Sequence, residues 1–204
     1  MLSIFQRTKW RSCGLYIFAF VCLSAAANKQ TNWVVESTAA PVIHEEQSTL
    51  KEFGVSGIKG LRARFVVAAP VDATLKLLWD IRRFPDLFTG IENMKVLSST
   101  DTTIEVYFEV DAVIRNAEYR LERKLDRKAR TIRWREIGEG DVKYARGSWT
   151  VEPGAEGYSM VTYASFVDVG YAVPTGLVRA MAIRKVDELA SRIRGALSPQ
   201  ATSQ

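Results

Sequence analysis

Thr103-Ile104-Glu105-Val106-Tyr107-Phe108-Glu109-Val110-Asp111 places Ile104, Val106, Phe108 and Val110 at alternate positions against Glu105, Tyr107 and Glu109. A repeat of two is the period of a β-strand with one dry and one wet face. Downstream, Ala117, Tyr119, Leu121 and Leu125 continue the alternation, Ile132 and Trp134 begin another strand, and Tyr144 to Val151 and Met160 to Val169 supply two more. Asp126-Arg127-Lys128 and Glu152-Pro153-Gly154 through Gly157 are the connecting turns. No long helix interrupts the series, so neighbouring strands pair as antiparallel hairpins.

Upstream, Lys95 to Ser99 reads as a strand, Leu61 to Ala68 as another closed by Ala69-Pro70, and Pro41 to Glu46 as a short edge strand. Asp72 is the expected N-cap of a short helix carrying Leu75, Leu78 and Trp79. Pro85 is expected to break that helix and start a second, which Gly90 ends. Pro174 to Leu197 reads as a long helix with an apolar stripe at Val178, Met181, Val186, Leu189, Ile193 and Leu197. The expected class is therefore α+β: a twisted antiparallel sheet curling around one C-terminal helix.

The composition of this 204-residue chain is that of an ordinary globular domain, 47% hydrophobic and 25% charged, which excludes collagen, low-complexity disorder and a multi-span membrane protein. Its net charge of +5 is unevenly placed, because Arg7, Lys9 and Arg11 stand in a leading segment without acids. The near-neutral remainder gives no electrostatic case for nucleic acid. A basic start, an apolar run from Gly14 and Ser24-Ala25-Ala26-Ala27 have the order of a secretory signal cleaved after Ala27. The alternative is an uncleaved anchor formed by residues 12–28. The expected location is accordingly exported, periplasmic or secreted, or else membrane-anchored. Residues 28–40 read as a flexible lead-in and 198–204 as a disordered tail.

Both cysteines, Cys13 and Cys22, fall in the signal-like segment, and His44 is the only histidine. A mature domain so composed holds no Cys/His zinc site, cysteine nucleophile or disulfide frame. His44, in His44-Glu45-Glu46-Gln47, reads as a surface residue and not as part of a Ser-His-Asp triad. Ser48-Thr49-Leu50-Lys51 matches a Ser-x-x-Lys pattern by coincidence, lacking its partner motifs, and Gly54-Val55-Ser56-Gly57 is a turn.

A sheet curled around a helix leaves a tunnel between them. Phe108, Tyr119, Trp134, Tyr144 and Phe166, with Val106 and Leu121, are the side chains expected to line it, opposite Leu177, Val178 and Met181. These residues either wall a cavity for an apolar ligand or pack together as core. Arg123, Glu136 and Asp168 fall on the same faces, where they either orient a ligand's polar group, act as acid and base, or reach solvent at the rim. No catalytic set is recognisable.

Ala68-Ala69-Pro70-Val71-Asp72 through Leu78-Trp79-Asp80, then Arg83-Phe84-Pro85-Asp86-Leu87-Phe88 and Gly90-Ile91, resembles the opening of the START-like (SRPBCC) superfamily. Gly147-Ser148-Trp149-Thr150-Val151-Glu152-Pro153 is similar to that superfamily's Gly-x-Trp-x-x-x-Pro hairpin, and Pro174 before the last helix fits as well. The likeness covers residues 41–197 and is closest to the polyketide cyclase/dehydrase and coenzyme Q-binding group; the lead-in from Pro41 to Gly60 also resembles lipid-transfer START domains. It implies a helix-grip fold whose cavity takes a lipid, quinone, sterol or polyketide-like molecule without cofactor or metal. The leading expectation is an exported binding or transfer protein. Its alternatives are a cofactor-free cyclase/dehydrase-type enzyme and an accessory domain with a filled core.

Nine basic residues against three acidic ones between Arg115 and Arg135 form the densest positive segment. It is either a contact for anionic membrane lipids or an edge hairpin kept soluble by charge.

Overall fold

The computed structural model describes residues 36–46, 60–112, 115–170 and 175–198. The signal-like segment, most of the lead-in, the Ser48 to Lys51 and Gly54 to Gly57 stretches, Pro174 and the tail from residue 199 lie outside the described residues.

Eight strands form a single antiparallel sheet: β1 (Val42–Glu46), β2 (Gly60–Val67), β3 (Ile91–Ser99), β4 (Thr103–Ala112), β5 (Arg115–Asp126), β6 (Thr131–Glu136), β7 (Tyr144–Pro153) and β8 (Ser159–Asp168). Their spatial order is β1-β2-β8-β7-β6-β5-β4-β3, so β3 to β8 run as a meander and the first two strands are added beside β8. Helix α1 (Val71–Trp79), a 3₁₀ turn at Ile81–Arg83 and α2 (Phe84–Leu87) follow β2, and α3 (Thr175–Leu197) closes the chain. This is the helix-grip arrangement, a curved sheet holding a C-terminal helix.

The β4 alternation is realised as read, with Ile104, Val106 and Phe108 buried. β3 begins at Ile91, four residues before the expected Lys95, directly after Gly90, whose φ of +86° favours a residue without Cβ. Asp72 is not the cap of α1: Pro70 occupies that position without a side-chain bond, and Asp72 sits in the first turn, where its charge complements the helix dipole. The chain breaks at Asp80, before Pro85. Asp80 accepts a hydrogen bond from the Arg82 amide at 3.2 Å and opens the 3₁₀ turn.

One half of the space between sheet and helix is solid. Phe65, Val67, Leu125, Ile132, Trp149, Val151 and Val161 meet Leu75 and Leu78 of α1 and Leu189, Ala190 and Ile193 of α3 in one cluster. Thr74 and Ser159, both fully buried, share a 2.9 Å hydrogen bond that fixes α1 on β8. Arg194 of α3 donates to the carbonyls of Val66, Ala39 and Glu36 and lies 5.7 Å from the Phe65 ring, tying the segment before β1 to the helix. No described helix is long and apolar enough to cross a membrane.

Candidate functional site

The other half is hollow. A cavity of about 530 Å³ lies between the sheet, the Phe84 to Ile91 segment and α3, within the usual range for small-molecule sites. Phe84, Phe88, Phe108, Tyr119, Leu121, Trp134, Trp149 and Tyr163 supply its apolar surface. The lining residues exposed to solvent are Thr89, Asp111, Val167 and Lys185, so these mark the mouth. Val167 there is 56% exposed.

The aromatic groups are locked to one another. Trp149 lies 4.4 Å from Tyr163, 6.2 Å from Trp134 and 6.4 Å from Phe88, ring centre to ring centre. Gly147 allows this packing: a Cβ on it would strike the indole of Trp134, its cross-strand partner, and the carbonyl of Ala164. The Phe84 to Phe88 side of the wall is pinned to α3, since Thr89 donates to Glu188 at 3.2 Å and Arg192 to the Asp86 carbonyl at 2.9 Å.

Arg123 closes the inner end. It is 1% exposed, yet it borders the cavity. Its guanidinium donates to the carbonyls of Leu78 at 2.6 Å and Trp79 at 3.3 Å, at the C-terminal end of α1, and stacks 4.3 Å from the Phe84 ring. A helix C-terminus and an aromatic face both favour a cation. No carboxylate pairs with it among the described residues, and burial pulls its pKa down to about 9. A buried cation without a counter-ion is costly; the two carbonyls and the faces of Phe84 and Trp79 offset part of that cost. The other polar groups in the wall include Ser165 and the phenols of Tyr119 and Tyr163; burial pushes both phenols well above their ordinary range.

Of the expected lining residues, Phe108, Tyr119, Leu121, Trp134 and Met181 border the cavity, as do Arg123 and Asp168. Asp168 stands at the mouth, where its carboxylate accepts the Gly170 amide at 2.9 Å. Val106 is fully buried in one cluster with Ile81, Ile104, Phe108 and Leu121, behind the lining and not part of it. Tyr144 and Phe166 are corrections: they form a separate cluster, 6.0 Å apart, outside the wall. Trp149 and Ala145 define the inward face of β7 and Tyr163 and Ser165 that of β8, so Tyr144 and Phe166 fall on the opposite faces. Glu136 is a further correction. The β6–β7 ladder ends at Trp134 and Gly147, and where the strands part, the Glu136 carboxylate accepts the Ala145 amide at 3.0 Å and pairs with Arg146 at 2.6 Å. Burial alone would raise this carboxyl, but those bonds more than offset it and hold it below its ordinary range. The side chains of Leu177 and Val178 lie outside the described part of α3. Phe84, Phe88, Trp149, Tyr163 and Val167 are among the wall residues that were not expected there.

The basic segment is less concentrated in space than in sequence. Arg123 is buried, and Glu122 pairs with Lys124 and Arg135 at 3.2 and 2.9 Å. Arg127, Lys128 and Arg130 are exposed at the β5–β6 turn, beyond Arg123 and hence at the closed end of the cavity. His44 is exposed on β1. Among the described residues no cluster of three His, Cys, Asp or Glu side chains could hold a metal ion.

A helix-grip sheet with an apolar cavity under its terminal helix defines the START-like class. The chain belongs to the family described as polyketide cyclase / dehydrase and lipid transport, whose profile matches residues 67–194. The STAR-related lipid transfer protein of Xanthomonas axonopodis is 19% identical, with a TM-score of 0.59 over 70% of this chain and 87% of that one. The human StarD13 lipid transfer and protein localization domain is 15% identical, with a TM-score of 0.62 over 92% of this chain and all of that one (100%). The Zhui aromatase/cyclase from a Streptomyces species is 18% identical, with a TM-score of 0.58 over 68% and 92% of the two chains. No curated protein sequence matches the chain.

Proposed function

We propose that this protein is an exported carrier that shelters an apolar small molecule bearing an anionic or strongly accepting end group, and moves it between membranes. The observation that carries this reading is the aromatic cavity of about 530 Å³ with an acid-free, buried Arg123 at its inner end. Binding draws on desolvation, about 0.8 kcal/mol for each methylene removed from water. Arg123 adds direction by seating the polar end first. The ligand enters past Thr89, Val167 and Lys185, and loosening of the Thr89–Glu188 and Asp86–Arg192 contacts opens the way. The lipid-transfer descriptions of the family and of the Xanthomonas and human proteins support this reading.

The export component rests on the leading segment, and intact mass of the protein from its host tests it: a chain beginning at Asn28 is expected, and one retaining residues 12–28 turns the reading towards an anchor. Contact with anionic lipid through Arg127, Lys128 and Arg130 is a separable component. Replacing all three with Glu should abolish co-sedimentation with anionic vesicles while leaving ligand affinity unchanged.

The direct test is titration of the purified protein with stearate, followed through the fluorescence of Trp134 and Trp149 in the wall. Saturable one-to-one binding with a negative heat-capacity change is expected. Absence of saturation with stearate, together with no stearate transfer from donor to acceptor vesicles, overturns the carrier reading. The rival reading, acid/base chemistry on a polyketide-like substrate, would fall to Arg123, Tyr119 and Tyr163, and burial moves both phenols away from the neutral range where general acids and bases work best.

A further inference from the structure

Tyr119 projects from β5 into the cavity wall, with Phe108 beside its ring at 5.8 Å. Its hydroxyl has no hydrogen-bond partner among the described residues. Tyr163 is near enough to interact with it electrostatically but is itself hydrogen-bonded to Ser165. Tyr119 thus presents to the cavity a hydroxyl that is not among the sealed-off polar atoms and can bond an occupant.

Position gives the missing acceptor an address. Tyr119, Leu121 and Arg123 share one face of β5, and four residues of strand put the Tyr119 and Arg123 Cα atoms about 13 Å apart. Leu121 fills the interval with apolar surface. A molecule seated with its anionic end on Arg123 therefore passes Tyr119 part-way along its body, on the way to the mouth.

We propose that Tyr119 is a specificity-determining contact, donating its hydroxyl hydrogen to an uncharged keto or hydroxyl oxygen in the middle of the ligand. The cavity then selects oxygenated apolar acids over plain ones. This rests on the carrier reading and goes beyond it, because an apolar tunnel with a single cationic end would not distinguish the two. The ring packing against Phe108 holds the donor in place before the ligand arrives, and preorganisation of this kind favours discrimination.

The test compares stearate with a mid-chain ketostearate on the wild-type protein and on Tyr119→Phe, which keeps the ring and removes only the donor. Wild type should bind the keto acid about three- to tenfold tighter, the range of a single neutral hydrogen bond. Tyr119→Phe should abolish that preference, so that the two acids bind it with affinities within about twofold of each other; an unchanged circular-dichroism spectrum and cooperative thermal unfolding show that the variant is folded. Equal affinity of wild type for both acids, or an equal loss for both in the variant, overturns the assignment of Tyr119. Failure of wild type to bind either acid sinks the carrier reading and this inference with it.

Discussion

The guanidinium of Arg123 stands 4.3 Å from the ring of Phe84, and among the described residues its hydrogen bonds run to two carbonyls at the end of α1. Among the described residues no carboxylate pairs with it, and the proposed carrier role assigns it the ligand's anionic end. Arg123→Met should lower affinity for stearate tenfold to about a hundredfold, the worth of a hydrogen bond to a charged group. Its melting temperature should change little, since relief of the buried charge is set against the Leu78 and Trp79 carbonyls left without their donor. Titration and thermal unfolding of the same variant check both parts; lowered stability with intact affinity would make Arg123 a structural residue only.

Affinity for stearate should be constant from neutrality to about pH 9, then fall by up to tenfold per pH unit. In the empty protein Arg123 loses its proton through about pH 9, whereas a bound carboxylate holds the proton on to higher pH, so binding above 9 requires proton uptake. The stability of the empty protein moves the other way. Its folded pKa is depressed below the unfolded value, so unfolding takes up a proton above pH 9 and this group's contribution rises with pH. Arg123→Met should remove the pH dependence of binding.

Gly147→Ala should destabilise the fold by about 1–3 kcal/mol, as overpacking does in a closed core. The new methyl would meet the Trp134 ring and the Ala164 carbonyl, a backbone atom that cannot turn aside. Denaturant unfolding gives the loss, and a shifted Trp emission would report displacement of Trp134 in the cavity wall.

Glu136→Ala should cost about 1–3 kcal/mol, because it leaves the Ala145 amide without its acceptor where β6 and β7 separate. Its folded-state carboxyl is held below the ordinary range, so the contribution is present above the unfolded-state pKa and is lost as acid protonates the folded carboxylate. Stearate affinity should stay within about twofold of wild type, Glu136 lying outside the wall.

The sheet and its terminal helix were legible because unbroken alternation in β4 and β5 leaves only one face for Ile104, Phe108 and Leu121 to bury. The cavity wall was legible only where the same rule applied. Tyr144 and Trp149 are five residues apart and Tyr163 and Phe166 three, so within one regular strand only one of each pair can face inwards. Gly147 was the available clue, since a strand glycine often marks the close approach of another group, here Trp134. The burial of Arg123 had no local signal, because the carbonyls that hold it come from Leu78 and Trp79, more than forty positions away. Phe84 and Phe88 belong to a segment with no strand period, so nothing in their spacing pointed to a wall.

Native mass spectrometry of the protein recovered from its own host, sprayed without denaturation and again after solvent extraction, tests the hollow interior most directly. A single oxygenated, apolar acid bound one to one, released by extraction and absent from Arg123→Met, is expected. A bare polypeptide mass, with no adduct regained on incubation with stearate, would contradict it.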